Sequence, residues 1–280
     1  AAAIENNSIA DVRLDPSNSF NTFGLRVLDD RSLILLGGDL KIDGGGIVAF
    51  GGRVDLAAVA GTGTVGLNVK GDKLSLSVPD SLPRADVSLT NQADFVVAAG
   101  GGGDIAITAR NINMNNSFLT AGILENFGSE GAQAGDIELN ATNSITLANA
   151  AQLRNSTNGQ GNSGKIKIVA GGTVTFDGRD SSDQFPSGAF SRVNSGANGN
   201  SGGIDITASS LIVSDRAQID SDAYGTGSSG NITIEVQNVS LFNSIIISEV
   251  SEGGGVGDGG DINIKTGTLL LKNGSALLAD

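Results

Sequence analysis

Few side chains in this sequence could do chemistry, which narrows the search. The chain has 280 residues, with no His, Cys or Trp and one tyrosine, Tyr224. Without His and Cys there is no Ser-His-Asp or Cys-His nucleophile, no Cys/His zinc site and no disulfide. Carboxylates, lysines and arginines remain. Their densest grouping is Asp177, Arg179, Asp180 and Asp183 in DGRDSSDQFPSGAFSR, residues 177–192. Carboxylates paired with one another or with a base cleave glycosidic bonds, but they must converge from separate elements. These four share one loop. The same segment holds Phe185 and Phe190, two of ten phenylalanines. Loops on rigid scaffolds concentrate recognition, so Arg179, Asp180, Asp183, Phe185 and Phe190 form the candidate binding set. The alternative is that the rings only pack back onto the scaffold. No catalytic residue, metal ligand or cofactor is assigned.

A second segment, GGGVGDGGD at 253–261, is similar to the calcium-binding turns of other β-rich repeats. Those turns need Gly-Gly-x-Gly-x-Asp in tandem. Counting from Gly254, the sixth residue is Gly259, and no second copy follows. Calcium at Asp258 or Asp261, in a calcium-stabilised module, stays a secondary reading.

Thirty acidic residues against 17 basic ones give a net charge of −13. That sign repels phosphates and anionic headgroups, so nucleic acid is not an expected partner. No run of 18 apolar residues exists, so no membrane insertion is expected. The start, AAAIENNSIADV, lacks Met and a basic region before an apolar stretch, which suggests a piece of a longer protein.

The elements that must hold the loop are read from an internal repeat. Gly-x-Ile-x-Ile, once with Leu last, starts at Gly103, Gly135, Gly164, Gly202, Gly230 and Gly260. A second apolar pair follows each time: Ile112/Met114, Ile145/Leu147, Val174/Phe176, Leu211/Val213, Val239/Leu241 and Leu269/Leu271. A third segment is centred on Leu119, Leu153, Val193, Ile219, Ile247 and Leu277. Alternation with period two over three to five residues indicates strands. A unit of this size cannot bury its own apolar face and must lean on its neighbours. The expected fold is all-β: a right-handed, single-stranded parallel β-helix (a solenoid) with three short strands per coil and about nine coils. Residues 103–280 would form six regular coils. Residues 1–102, with pairs such as Leu40/Ile42, Val65/Leu67 and Leu74/Leu76, would form irregular coils continuous with them. The register places Glu138 beside Lys167, Lys167 beside Asp205, and Asp136 beside Lys165. Gly-rich turns before the anchors are expected to supply positive φ.

LILLGGDLKIDGGGIVAFGGRVDLAAVAG (33–61) resembles the segment after the secretion domain of filamentous-haemagglutinin-like exoproteins, the passengers of two-partner secretion in Gram-negative bacteria. SLIVSDRAQIDSDAYGTGSSGNITI (210–234) and TLLLKNGSALLAD (268–280) resemble the same proteins less specifically. The resemblance implies a β-helical passenger, an outer-membrane transporter as partner, and a secreted or outer-cell-surface location. The absence of Cys fits export through such a transporter. The expected function is a non-enzymatic structural shaft of an adhesin-like exoprotein, acting in adhesion or aggregation. Surface glycans, other cells and end-to-end association with further copies are the expected contacts. The rival class is a carbohydrate-active enzyme, a polysaccharide lyase or hydrolase.

Overall fold

In a computed structural model, residues 1–251 and 255–280 are described. They form strands joined by turns, with no helix among the described residues. Two sheets dominate, one of fifteen strands and one of nine, and every pairing inside them is parallel.

The apolar residues separated by one repeat are direct neighbours. Ile105, Ile137, Ile166, Ile204, Ile232 and Ile262 follow one another across successive strand pairs. Ile112, Ile145, Val174, Leu211, Val239 and Leu269 do the same, as do their partners two residues on. These rows fuse into one aliphatic core, in which Ile107, Leu139, Ile168 and Ile206 are fully buried. Burial of each such side chain contributes about 1.5–3 kcal/mol before chain entropy is counted.

The expected right-handed β-helix of about nine coils, with three short strands in each, is corrected here. The main sheet follows a nearly closed path of twelve parallel strands, from Ile4–Asn6 round to Ser32–Gly37. Its ends come together where Gly38 N donates to Ala2 O at 2.7 Å. The two halves of the path join because Ile204–Ser214 is one strand of eleven residues that pairs with both Ile166–Ala170 and Thr173–Asp177. Ile232–Phe242 repeats that length. In earlier repeats Arg110-Asn111, Thr142-Asn143 and Gly171-Gly172 interrupt the strand. Thr207, Ala208 and Ser209 stay extended, so two expected strands become one.

Three smaller expectations are also corrected. The third inward row runs Leu119, Leu153, Ala189, Ile219, Ile246 and Leu277, so Ala189 replaces Val193 and Ile246 replaces Ile247. Val193 packs instead with Ala197 and Ala223. The pairs around Leu67 and Leu74 form a separate antiparallel hairpin, Gly66–Lys70 with Lys73–Ser77, leaving Leu67 and Val69 exposed. The anchor glycines answer to crowding more than to φ. A Cβ on Gly164 would lie 1.9 Å from Gly135 O, and one on Gly202 would lie 2.3 Å from Gly164 O.

The charged rungs fall where the register puts them. Glu138 pairs with Lys167, and Lys167 with Asp205. Lys165 N donates to Asp136 Oδ1 at 2.8 Å, while the ion pair to Asp205 comes from Lys165 Nζ at 2.7 Å.

Candidate functional site

The nine-stranded sheet presents two outward rows on one face. One row runs Asp94, Phe118, Gln152, Gly188, Gln218, and the other Val96, Thr120, Arg154, Phe190, Asp220. Strand alternation sends the residues between them, such as Leu119, Leu153 and Ala189, into the core. Polar and aromatic groups from strands about 4.8 Å apart are thereby held side by side on a rigid surface. Gly188 sits between Gln152 and Gln218 in the first row, where a Cβ would fall 2.1 Å from Gln218 O.

A groove of about 580 Å³ opens over this face. Its floor includes Gln152, Arg154, Ser156, Phe190, Arg192 and Gln218, and its walls include Phe20, Arg179, Gln184 and Phe185. Three arginines and five amide side chains line it, with no carboxylate among the described lining residues. In a chain of net charge −13, this is a local inversion of sign.

Two loops of the same design wall the groove. One is Asp15-Pro-Ser-Asn-Ser-Phe20 and the other Asp180-Ser-Ser-Asp-Gln-Phe185. In the first, the Asp15 carboxylate accepts the amides of Ser17, Ser19 and Phe20, at 2.8, 2.7 and 2.8 Å. In the second, Asp180 accepts those of Ser182, Gln184 and Phe185, at 3.2, 2.8 and 2.6 Å. In both, the Asp N–H donates to the Phe carbonyl at 2.9 Å. The fourth residue of each has positive φ, +57° at Asn18 and +62° at Asp183. Asn and Asp tolerate that conformation better than most side chains. The outcome is the same twice: a half-exposed ring, Phe20 or Phe185, set at the groove.

The candidate set therefore divides. Arg179, Phe185 and Phe190 line the groove, whereas Asp180 and Asp183 shape its wall. The backbone N–H of Phe185 and the Ser182 hydroxyl hold the Asp180 carboxyl down to about 2. Asp183 is taken by Arg216 at 2.5 Å and Arg179 at 3.4 Å. Phe185 faces solvent, while Phe190 is nearly buried under the Arg192 guanidinium, 4.5 Å from its ring centre. The loop is tied to the sheet where Gln152 Nε2 donates to Pro186 O at 2.7 Å and Ser187 Oγ to Asp177 O at 2.7 Å.

The two floor arginines differ. Arg192 Nε donates to Asp220 Oδ1 at 2.8 Å, and its Nη2 pairs with Asp220 Oδ2. Burial works against the Arg192 charge, but Asp220 outweighs it and holds the pKa above the usual value. Behind that pair, burial and then Asp220 push the Asp222 carboxyl up to about 6, and Tyr224 Oη donates to Asp222 Oδ2 at 2.9 Å. Arg154 lies over Phe118, its Cζ 4.4 Å from the ring centroid, with Nε donating to Gln152 Oε1 at 2.6 Å. Neither Nη of Arg154 bonds a protein acceptor among the described residues. Burial acts against its charge and lowers its pKa, Asp94 offsets part of that, and Arg192 adds a smaller repulsion.

Comparison with protein-family models, curated proteins and solved structures finds no match.

Gly253 and Gly254 of the glycine-rich stretch lie outside the described residues. Asp258 and Asp261 are exposed, their amides held by Ser228 Oγ and Asn231 Oδ1 at 3.2 and 2.8 Å. No group of three acidic side chains with metal-holding geometry exists among the described residues. Sequence reasoning missed Arg154, Arg192, Phe20 and the buried acids Asp220 and Asp222. The repeated Asp-x-Ser-x-x-Phe pattern was the available signal for Phe20.

Proposed function

We propose that the chain is a non-enzymatic, adhesin-like recognition scaffold of a secreted or cell-surface protein, and that the groove on the nine-stranded sheet is its binding face. The observation that carries this reading is the pair of Asp-x-Ser-x-x-Phe loops. Two segments far apart in sequence build the same turn and aim a ring at the same groove. Half-exposed rings beside amides and arginines suit oligosaccharides, whose rings have apolar faces and hydroxyl rims. The resemblance of residues 33–61 to exported adhesins supports the same reading, with an outer-membrane transporter as export partner.

Binding without cleavage is favoured by the lining. A glycosidase needs an acid and a base or nucleophile at the scissile bond, and the groove offers arginines and amides. Asp220, buried beside the groove, is committed to Arg192.

The test is a glycan array probed with the intact chain and with a variant whose 179–186 hairpin is replaced by Gly-Gly. Binding by the intact chain that is lost in the variant supports the proposal. Binding that survives the replacement removes the groove from the account. New reducing ends released from a bound glycan would favour the enzyme.

A further inference from the structure

We propose that the groove takes an acidic oligosaccharide, a chain of unsulfated hexuronate residues, with the Arg154 guanidinium reading a sugar carboxylate. This rests on the groove being a recognition surface and adds the chemistry of its ligand.

The first support is charge. Arg154, Arg179 and Arg192 line a groove that holds no carboxylate among its described lining residues, in a strongly acidic chain. The second is what each arginine already does. Arg192 is held by Asp220, and Arg179 donates to Gln184 O at 3.0 Å and pairs with Asp183. Arg154 has only Gln152 on its Nε, which leaves the two-nitrogen edge for a ligand. It is also partly buried, and burial is the largest influence against its charge, with Asp94 offsetting part of it, so an anion placed there relieves that cost further.

Geometry selects the anion. A guanidinium seated over a ring offers a planar fork that fits a planar carboxylate through two parallel hydrogen bonds. Phe118 provides that seat. Phe20 and Phe185 then face the rings of the sugar chain from the two walls. An extended acidic peptide shares the carboxylates but not a ring with an apolar face for Phe20 and Phe185 to cover.

The experiment is titration calorimetry of the intact chain with unsulfated hexuronate hexamers of galacturonate, glucuronate and mannuronate/guluronate type. Comparison ligands are their methyl esters, neutral hexoses of equal length, and poly-glutamate. At least one acidic hexamer is expected to bind, its ester about ten- to a hundredfold more weakly. Arg154→Gln should lose a similar factor, Arg154→Lys should recover only part of it, and Phe20→Ala and Phe185→Ala should each weaken binding. Melting curves identify any variant that fails to fold, and the acid-to-ester comparison on the unaltered chain stands without variants. Equal binding of acid and ester, no loss in a folded Arg154→Gln, or poly-glutamate binding as tightly as the sugar overturns the inference. Binding of neutral glycans alone overturns it while sparing the recognition groove, and no glycan binding at all sinks both.

Discussion

Asp94 begins the outward row that leads to the groove, and it carries a cost that pH should expose. Its Oδ1 is shielded from water and has no hydrogen-bond partner. Burial raises its carboxyl from 3.8 to about 6, with Arg154 pulling the other way. The folded state therefore binds this proton more tightly than the unfolded chain does. The penalty on folding is fully present above the folded pKa and is relieved as pH falls from about 6 towards 4. With those two values, lowering pH from about 7.5 to about 5 returns about 1.4 kcal/mol at this one site. For a chain of this size that corresponds to roughly 2–3 °C in melting temperature. Asp222, also raised to about 6, adds a slope of the same sign. Asp86, which hydrogen bonds from Arg110 hold low, and Asp180, held at about 2, lose stability only at lower pH. The decisive comparison is thermal or urea unfolding of the wild type and Asp94→Asn at both pH values. Removing Asp94 also changes the field on Arg154, which shifts the absolute stability of the variant. Arg154 does not titrate in this range, so the difference in slope isolates Asp94. The variant should lose about 1.4 kcal/mol of the acid-induced gain. Identical slopes for the two proteins would refute the reasoning.

Other consequences are as direct. Asp220→Ala leaves Arg192 over Phe190 without its carboxylate, and urea unfolding should show a loss of about 3 kcal/mol. Adding Arg192→Leu should return part of that loss, and strict additivity of the two changes would contradict the pairing. Ile206 is fully buried between Ile168 and Ile234, so Ile206→Ala should cost about 2–5 kcal/mol. Ile212→Ala, on the outward side of the same strand, should cost under about 1 kcal/mol. Cysteines placed at 138 and 167 occupy directly paired positions and should crosslink on mild oxidation, as read by a mobility shift on reducing and non-reducing gels. A Cys pair at 138 and 168, one residue out of register, should crosslink less.

The register of the inward rows was legible in the sequence because it depends only on which aliphatic residues recur at one repeat. Ile105 to Ile262 and Ile112 to Leu269 fell into place for that reason. How the segments join was not legible. Nothing in periodicity separates a strand that ends at a bend from one that runs on, so Ile204–Ser214 and Ile232–Phe242 were expected as two strands each. The third row slipped by a few residues at Ala189 because the inserted 177–187 loop breaks the count and small residues give a weak signal. The loop itself was visible as an insertion with two phenylalanines. Its internal division was not: Asp180 looks as chemically able as Arg179 until its carboxylate is found bonded to its own loop. Arg154 was invisible for the opposite reason. One arginine beside Leu153 looks like an ordinary exposed residue until the strand pairing sets Phe118 beneath it.

That last point explains how so acidic a chain can hold a cationic groove. The carboxylates are dispersed over the surface, and beyond about 8–10 Å salt screens them at physiological ionic strength. Within that distance the local arrangement decides. Parallel strands stack residues of successive repeats at about 4.8 Å, which sets Arg154 beside Phe190 and brings Arg154 and Arg192 to the same groove. Four nearby carboxylates are engaged by structure: Asp220 by Arg192, Asp183 by Arg216, and Asp180 and Asp15 by their own loop amides. Each therefore supports a wall or a guanidinium without lining the groove, and arginines and amides are left on its surface in a chain of 30 acidic residues.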